Sequence, residues 1–202
     1  MGQETAFLQE IHIAEASMFP EFAQETVCSP RDALCFYFSP SWHISDGLVT
    51  ERIIDDLRNT NGAVLSVGAG NAYLERFLCA HFKIDAERFV LCDIKRKEFD
   101  GFKSYQFDMK TEWPNFDRKF SYVLFPQSGY IDKSKGAERS QKELKHLLAS
   151  GLETLTSGGQ LRASWIFTPE DRAAFVYPVL ESQIGKRYRL LEDEPVFSLQ
   201  KI

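Results

Sequence analysis

Apolar and polar positions in this 202-residue chain repeat with two different periods, and the switches between them mark out strands and helices. Residues 63–67 and 89–92 are short apolar runs, as expected of strands covered on both faces, which have no wet side to alternate toward. Residues 104–107 suggest a third strand, 120–125 a fourth and 160–167 a fifth. Helical stripes lie between them. Leu74, Phe77, Leu78 and Phe82 fall at i, i+3, i+4 and i+8, with His81 at i+7. Leu144, Leu147, Leu148, Leu152 and Leu155 form a longer stripe, which Ser157-Gly158-Gly159 should end. Thr168-Pro169-Glu170-Asp171 has the N-cap hydroxyl, first-turn proline and acids of a helix start, and Pro178 should kink or split that helix. Two last strands, 188–191 and 196–200, flank Glu192-Asp193-Glu194-Pro195; so short a link requires an antiparallel pair.

Ahead of this pattern, Phe7, Leu8, Ile11, Ala14 and Met18 have helical spacing. Pro20, Pro30 and Pro40 then punctuate a region holding Phe36, Tyr37, Phe38 and Trp42. Ser45-Asp46 should precede a helix with Val49, Ile53, Ile54 and Leu57 on one face. Residues 1–46 thus read as a helical extension and 47–202 as a core. The extension is either a cover over a ligand cleft or a segment that simply packs on the core.

Chemistry concentrates where the first strand meets its helix. Gly68 and Gly70 permit a tight turn with no Cβ in the way, and Ala69, Asn71 and Ala72 continue it into the helix. A dinucleotide fingerprint would place a small residue at 73, which is Tyr73. Asp93 ends the second strand. Ligands of open parallel sheets sit outside the strands' carboxyl ends, so Asp93 should stand beside the glycine turn, where a carboxylate can accept both hydroxyls of a ribose. The plainer alternative is a solvated acid that ends a strand.

The G-x-G-x-A spacing at 68–72, the acid at 93 and the element order resemble the class I S-adenosylmethionine-dependent methyltransferases from residue 47 onward. That resemblance implies an α/β fold: a three-layer, doubly wound seven-stranded sheet, mostly parallel, with a C-terminal antiparallel hairpin. It implies S-adenosylmethionine as cofactor, held by Gly68, Ala69, Gly70, Asn71, Asp93, Ile94, Asp108, Met109 and Phe125. Asp108 would accept from the adenine amine, Met109 would cover the ring, and the end of the fourth strand would face the methyl group. Two residues depart from the family pattern: Ser66 stands where an acid is usual, and Ala72 where glycine is usual. No N/D-P-P-Y/F sequence follows the fourth strand, so methylation of nucleobase or amide nitrogens is not supported. Asp117 reads as part of a polar loop.

Composition narrows the choices. A net charge of -5 argues against a broad nucleic-acid surface, with Lys95-Arg96-Lys97 and Lys133, Lys135 and Arg139 as local exceptions. Cys28, Cys35, Cys79 and Cys92 lack metal-ligand or C-x-x-C spacing and read as free thiols. No membrane partner or signal peptide is indicated, which points to the cytoplasm. No metal is expected. The favoured function is a methyltransferase with a small-molecule acceptor, leaving peptide and RNA open. A non-catalytic binding module of the same fold is the alternative; an NAD-dependent oxidoreductase is opposed by Tyr73 and the terminal hairpin. His43, Ser128 and Tyr130 are the catalytic candidates.

Overall fold

The computed structural model describes residues 2–20, 39–95, 98–126, 137–164, 173, 177–183, 188–192 and 196–202. Strands β1 (Val64–Val67), β2 (Phe89–Asp93), β3 (Lys103–Gln106), β4 (Phe120–Phe125), β5 (Leu155–Ser164), β6 (Tyr188–Glu192) and β7 (Val196–Lys201) make one sheet in the order β3-β2-β1-β4-β5-β7-β6. β1 to β5 run parallel, while β7 enters antiparallel between β5 and β6. The seven-stranded, mostly parallel sheet and its closing hairpin are those expected from the sequence.

Strand periodicity divides the core into two layers. Leu65, Val67, Val90 and Val123 share one cluster with Leu144, Leu147, Leu148 and Leu152 of α5 (Ala137–Thr154) and with Val179 and Leu180 of α6 (Tyr177–Gln183). Val64, Phe89, Leu91 and Leu124 point the other way. Their cluster includes Ile11 of α1 (Gly2–Met18), Ile44 of α2 (Pro40–Ser45), Ile53, Ile54 and Leu57 of α3 (Glu51–Asn59), and Leu74, Phe77 and Leu78 of α4 (Tyr73–Phe82). β1 and β2 are therefore sandwiched, which is why their sequences are apolar throughout.

Element ends depart from the sequence pattern in three places. The helix after the extension is capped by Thr50, whose hydroxyl accepts from Ile53 N–H, and not by Ser45-Asp46. Asp46 instead caps the C-terminus of α2, and Val49 and Ile54 occupy the N′ and N4 positions of a hydrophobic staple around Thr50. The leucine stripe does not carry its helix to the Ser157-Gly158-Gly159 stop. α5 ends at Thr154, and Leu155 already pairs with Phe120 as the first residue of β5. The glycines serve a bulge between the Phe120/Leu155 and Tyr122/Gln160 pairs; a Cβ on Gly159 would lie 3.1 Å from the carbonyl oxygens of Phe120, Ser121 and Thr156. Pro178 lies in the first turn of α6, where its missing N–H has no helical partner to lose. The Thr168-Pro169-Glu170-Asp171 start lies outside the described residues, as do Phe36, Tyr37, Phe38, Cys28 and Cys35.

A buried arginine fastens residues 47–48 to β5 and β7. Arg162 on β5 is 3% exposed and donates to the Leu48 carbonyl (3.1 Å), the Gly47 carbonyl (2.7 Å) and the Ser198 hydroxyl of β7 (3.0 Å). Among the described residues, no helix is long and apolar enough to cross a membrane.

Candidate cofactor site

The turn after β1 is built from backbone that turns left-handed three times: Gly68 (φ 77°), Gly70 (φ 60°) and Ala72 (φ 57°). Gly68 and Ala69 N–H both donate to the Cys92 carbonyl, at 2.7 and 3.0 Å. Gly70 N–H donates to Asp93 Oδ2 at 3.1 Å, and Lys95 N–H donates to Oδ1 at 2.8 Å. The two features read separately in the sequence, glycine turn and strand-end acid, thus form one hydrogen-bonded unit. Each Asp93 oxygen still has acceptor capacity for a ligand hydroxyl. Because three successive turn donors are spent inside the protein, the turn offers close approach to its backbone more than a cradle for phosphate.

Ala72 explains why glycine is usual at its position. Its φ of 57° is a conformation that a Cβ makes costly, and the residue is fully buried and provides no side-chain cap to α4. We expect Ala72→Gly to stabilise the protein by about 0.5–1 kcal/mol, since relief of roughly 1–2 kcal/mol of left-handed strain exceeds the lost burial of one methyl. Urea denaturation checks this. A loss of stability would show that the methyl's packing outweighs the strain.

The loop after β3 lies alongside. Phe107 N–H donates to the Asp93 carbonyl (3.2 Å), and Asp108 Oδ1 accepts from Lys110 N–H (2.9 Å), so Asp108 is held by its own tight turn. Met109 packs against the core with Phe107 and Trp113, and its carbonyl accepts from the Trp113 indole at 2.9 Å. α5 clamps this loop through His146 Nε2 on the Thr111 carbonyl (2.7 Å) and through the Lys110–Glu143 ion pair (2.9 Å). Ile94, 54% exposed directly after Asp93, presents a hydrocarbon face at the same edge. Phe125 sits at the β4 end, but its ring is buried and faces Gly151 of α5. Its side chain belongs to the core. Asp117 pairs with Lys103 at 2.5 Å on the surface, and that partner holds its carboxyl below the usual range, as suits a loop acid. Asn71 is exposed, with its amide 3.5 Å from the Tyr73 hydroxyl. A groove of about 390 Å³ opens elsewhere, between Phe7 and Leu8 of α1 and Ile44, Gly47, Thr50 and Glu51; neither Asp93 nor Asp108 lines it.

One acid escaped the sequence reading. Glu75, in the first turn of α4, is 1% exposed and hydrogen-bonded through Oε1 to the Ser66 hydroxyl, whose residue is itself fully buried. Burial pushes the Glu75 carboxyl up to about 7, against the Ser66 hydrogen bond, its own backbone N–H and Arg76, which all act to lower it. A carboxyl group is therefore present beneath the turn even though position 66 lacks one. Only the combination of a serine on a strand with an acid nine residues on could have signalled it.

The extension reaches this neighbourhood. α1 and α2 both contact α4, and Phe19 lies edge-on to Tyr73, the first residue of α4, at 5.1 Å. Ser41 ties the two extension helices together by donating from N–H and hydroxyl to Glu15, at 2.9 and 2.6 Å. His43 is 2% exposed, its Nδ1 finds no partner among the described residues, and burial lowers its pKa to about 3. It is a neutral, enclosed imidazole. Ser128 and Tyr130 lie outside the described residues. Cys79 and Cys92 are free thiols; burial pushes Cys79 up to about 12 and Cys92 up as well.

No family model matches the chain, and no curated protein matches it. Solved structures do. MycE from the mycinamycin biosynthetic pathway, in complex with Mg and SAH, superposes with a TM-score of 0.57 at 16% identity, covering 83% of this chain and 53% of that one. TrmN from Thermus thermophilus gives a TM-score of 0.56 at 16% identity over 86% of this chain and 52% of that one. The glycopeptide N-methyltransferase MtfA, complexed with S-adenosylhomocysteine (SAH), gives 0.52 at 12% identity over 87% and 99%. The chain thus spans about half the length of MycE and TrmN. At these identities the likeness establishes the fold: the chain has the Rossmann-like fold of the class I methyltransferases.

Proposed function

We propose that this chain is an S-adenosylmethionine-dependent methyltransferase acting on a small-molecule acceptor in the cytoplasm. The observation that carries the reading is Asp93, whose carboxylate is fastened to the glycine turn at Gly70 and is the acceptor pair that a ribose diol needs. The residues around it fit such a cofactor. Gly68, Ala69, Gly70 and Asn71 would lie against it without a Cβ at the two closest points, Ile94 and Met109 would flank the adenine, and Asp108 would accept from its amine. When bound, S-adenosylmethionine supplies an electrophilic methyl group on a sulfonium. The protein then has to align an acceptor in line and exclude water.

We assign water exclusion to the extension, residues 1–46, acting as a cover. Phe19 against Tyr73 supports that role because it brings α1 to the end of α4 that adjoins the turn. Residues 126–130 after β4, with Ser128 and Tyr130, would orient the acceptor. A small molecule is favoured by the likeness to MycE, solved with mycinamycin VI, and to the glycopeptide N-methyltransferase MtfA. The free thiols of Cys79 and Cys92 suit a reducing compartment.

Saturating ligand tests the reading. SAH at a hundred times its dissociation constant should add about 2.7 kcal/mol of stability. That is roughly 5–10 °C in melting temperature for a chain of this size. Calorimetry with NAD in parallel decides the class, and binding of NAD without SAH would overturn the proposal. A second reading, a non-catalytic binding module, is favoured by one observation: His43 is enclosed and a very weak base. Cofactor binding without transfer of labelled methyl to small-molecule, peptide or RNA pools would select it.

A further inference from the structure

Glu75 has no task in the proposed reading, although its carboxyl is the most deeply buried acid beside the turn. We propose that Glu75 is a specificity-determining residue that makes the glycine-turn site prefer a cationic ligand, selecting S-adenosylmethionine over the uncharged sulfur of SAH. The proposal rests on the cofactor reading above.

Three observations support it. Glu75 stands at the third position of α4, and its carboxyl reaches back to Ser66 on β1, so the group is wedged between the end of that strand and the first turn of the helix. Its second oxygen, Oε2, is buried and has no hydrogen-bond partner among the described residues. A carboxylate left half-partnered away from water has capacity for one more positive or donating group. The start of α4 also carries the partial positive charge of its unpaired N–H groups, and Ala72 supplies no side chain to cover them. The Glu75 carboxyl sits on that positive end and bonds its own N–H, so the local potential that would otherwise draw an anion is offset. With the Gly68, Ala69 and Gly70 donors already committed, the turn is biased away from anions and toward a positive charge.

Coupling makes the preference reciprocal. A cation held at the turn favours the ionised form of Glu75, and the ionised form favours the cation by the same factor. A neutral thioether in the same position gains nothing from it. Arg76 and Cys79 on α4 also interact electrostatically with Glu75, and neither substitution below alters them.

The test is isothermal calorimetry on the full chain at pH 8 with S-adenosylmethionine and SAH as probes. Glu75→Gln preserves shape and an acceptor for the Ser66 hydroxyl, and a thermal melt confirms folding. The expected result is a loss of roughly tenfold in S-adenosylmethionine affinity with SAH affinity changed less than about threefold, within the usual range of site-to-site coupling. Ser66→Ala keeps the charge and should retain the preference for the cation. An equal loss for both probes, or no loss for either, would overturn the proposal while leaving the cofactor reading intact. Wild-type protein that binds neither probe would overturn both.

Discussion

Asp93→Ala is expected to weaken SAH binding by roughly 1.5–3 kcal/mol, the scale of hydrogen bonds to a charged group. That corresponds to roughly a ten- to hundredfold change in dissociation constant. The structure adds a second effect. Asp93 also receives the N–H groups of Gly70 and Lys95, so its removal loosens the turn and lowers stability even without ligand. Asp93→Asn separates the two effects, because its amide oxygen retains one acceptor while the charge is gone. Calorimetry reads affinity and urea denaturation reads stability. Unchanged affinity in both variants would reduce Asp93 to a residue that ends a strand.

Arg162→Met should damage the fold severely, with a loss of roughly 2–5 kcal/mol. Methionine matches much of the volume but leaves the carbonyls of Gly47 and Leu48 without their donor, and each such orphan costs about 1–3 kcal/mol. Arg162→Lys should recover little of this, since a single ammonium cannot span three acceptors in the fixed plane of a guanidinium. Urea denaturation again provides the measurement. A loss under 1 kcal/mol in Arg162→Met would mean that residues 47–48 are held by packing alone.

Arg162 also shows where sequence reading runs out. In the strand pattern it is the polar position between Leu161 and Ala163, and alternation alone assigns it to a wet face. It is buried because residues 47–48, more than a hundred positions earlier, lie over it, and no local pattern carries that fact. Glu75 is similar. Beside Arg76 it reads as part of the outer face of an amphipathic helix, yet its carboxyl meets a serine projecting from the strand beneath. Leu155 failed differently: buried leucine suits both the stripe of α5 and the start of β5, so hydrophobicity could not place the boundary. What the pattern did specify were features with two agreeing signals. The β1 turn combined an apolar run with glycines at the required left-handed positions, and Asp93 combined a strand end with the known side of a parallel sheet where ligands sit.

The Arg162 knot also bears on the order in which the chain can fold. Its partners come from residues 47–48 and from Ser198 of β7, and β7 is the strand that slots between β5 and β6. The Arg162 bonds to the carbonyls of Gly47 and Leu48 span 115 and 114 positions, whereas β1 meets β4 at Val64 and Tyr122 and β5 meets β7 at Gln160 and Gln200, so the strands can pair from contacts much closer in sequence than this one. Until residues 47–48 settle over β5 the guanidinium lacks two of its acceptors, and until β7 arrives the β5 edge is open as well. Such late, long-range closure predicts a slow final folding phase, and a partly folded form whose exposed edge is the surface at which two copies would first stick.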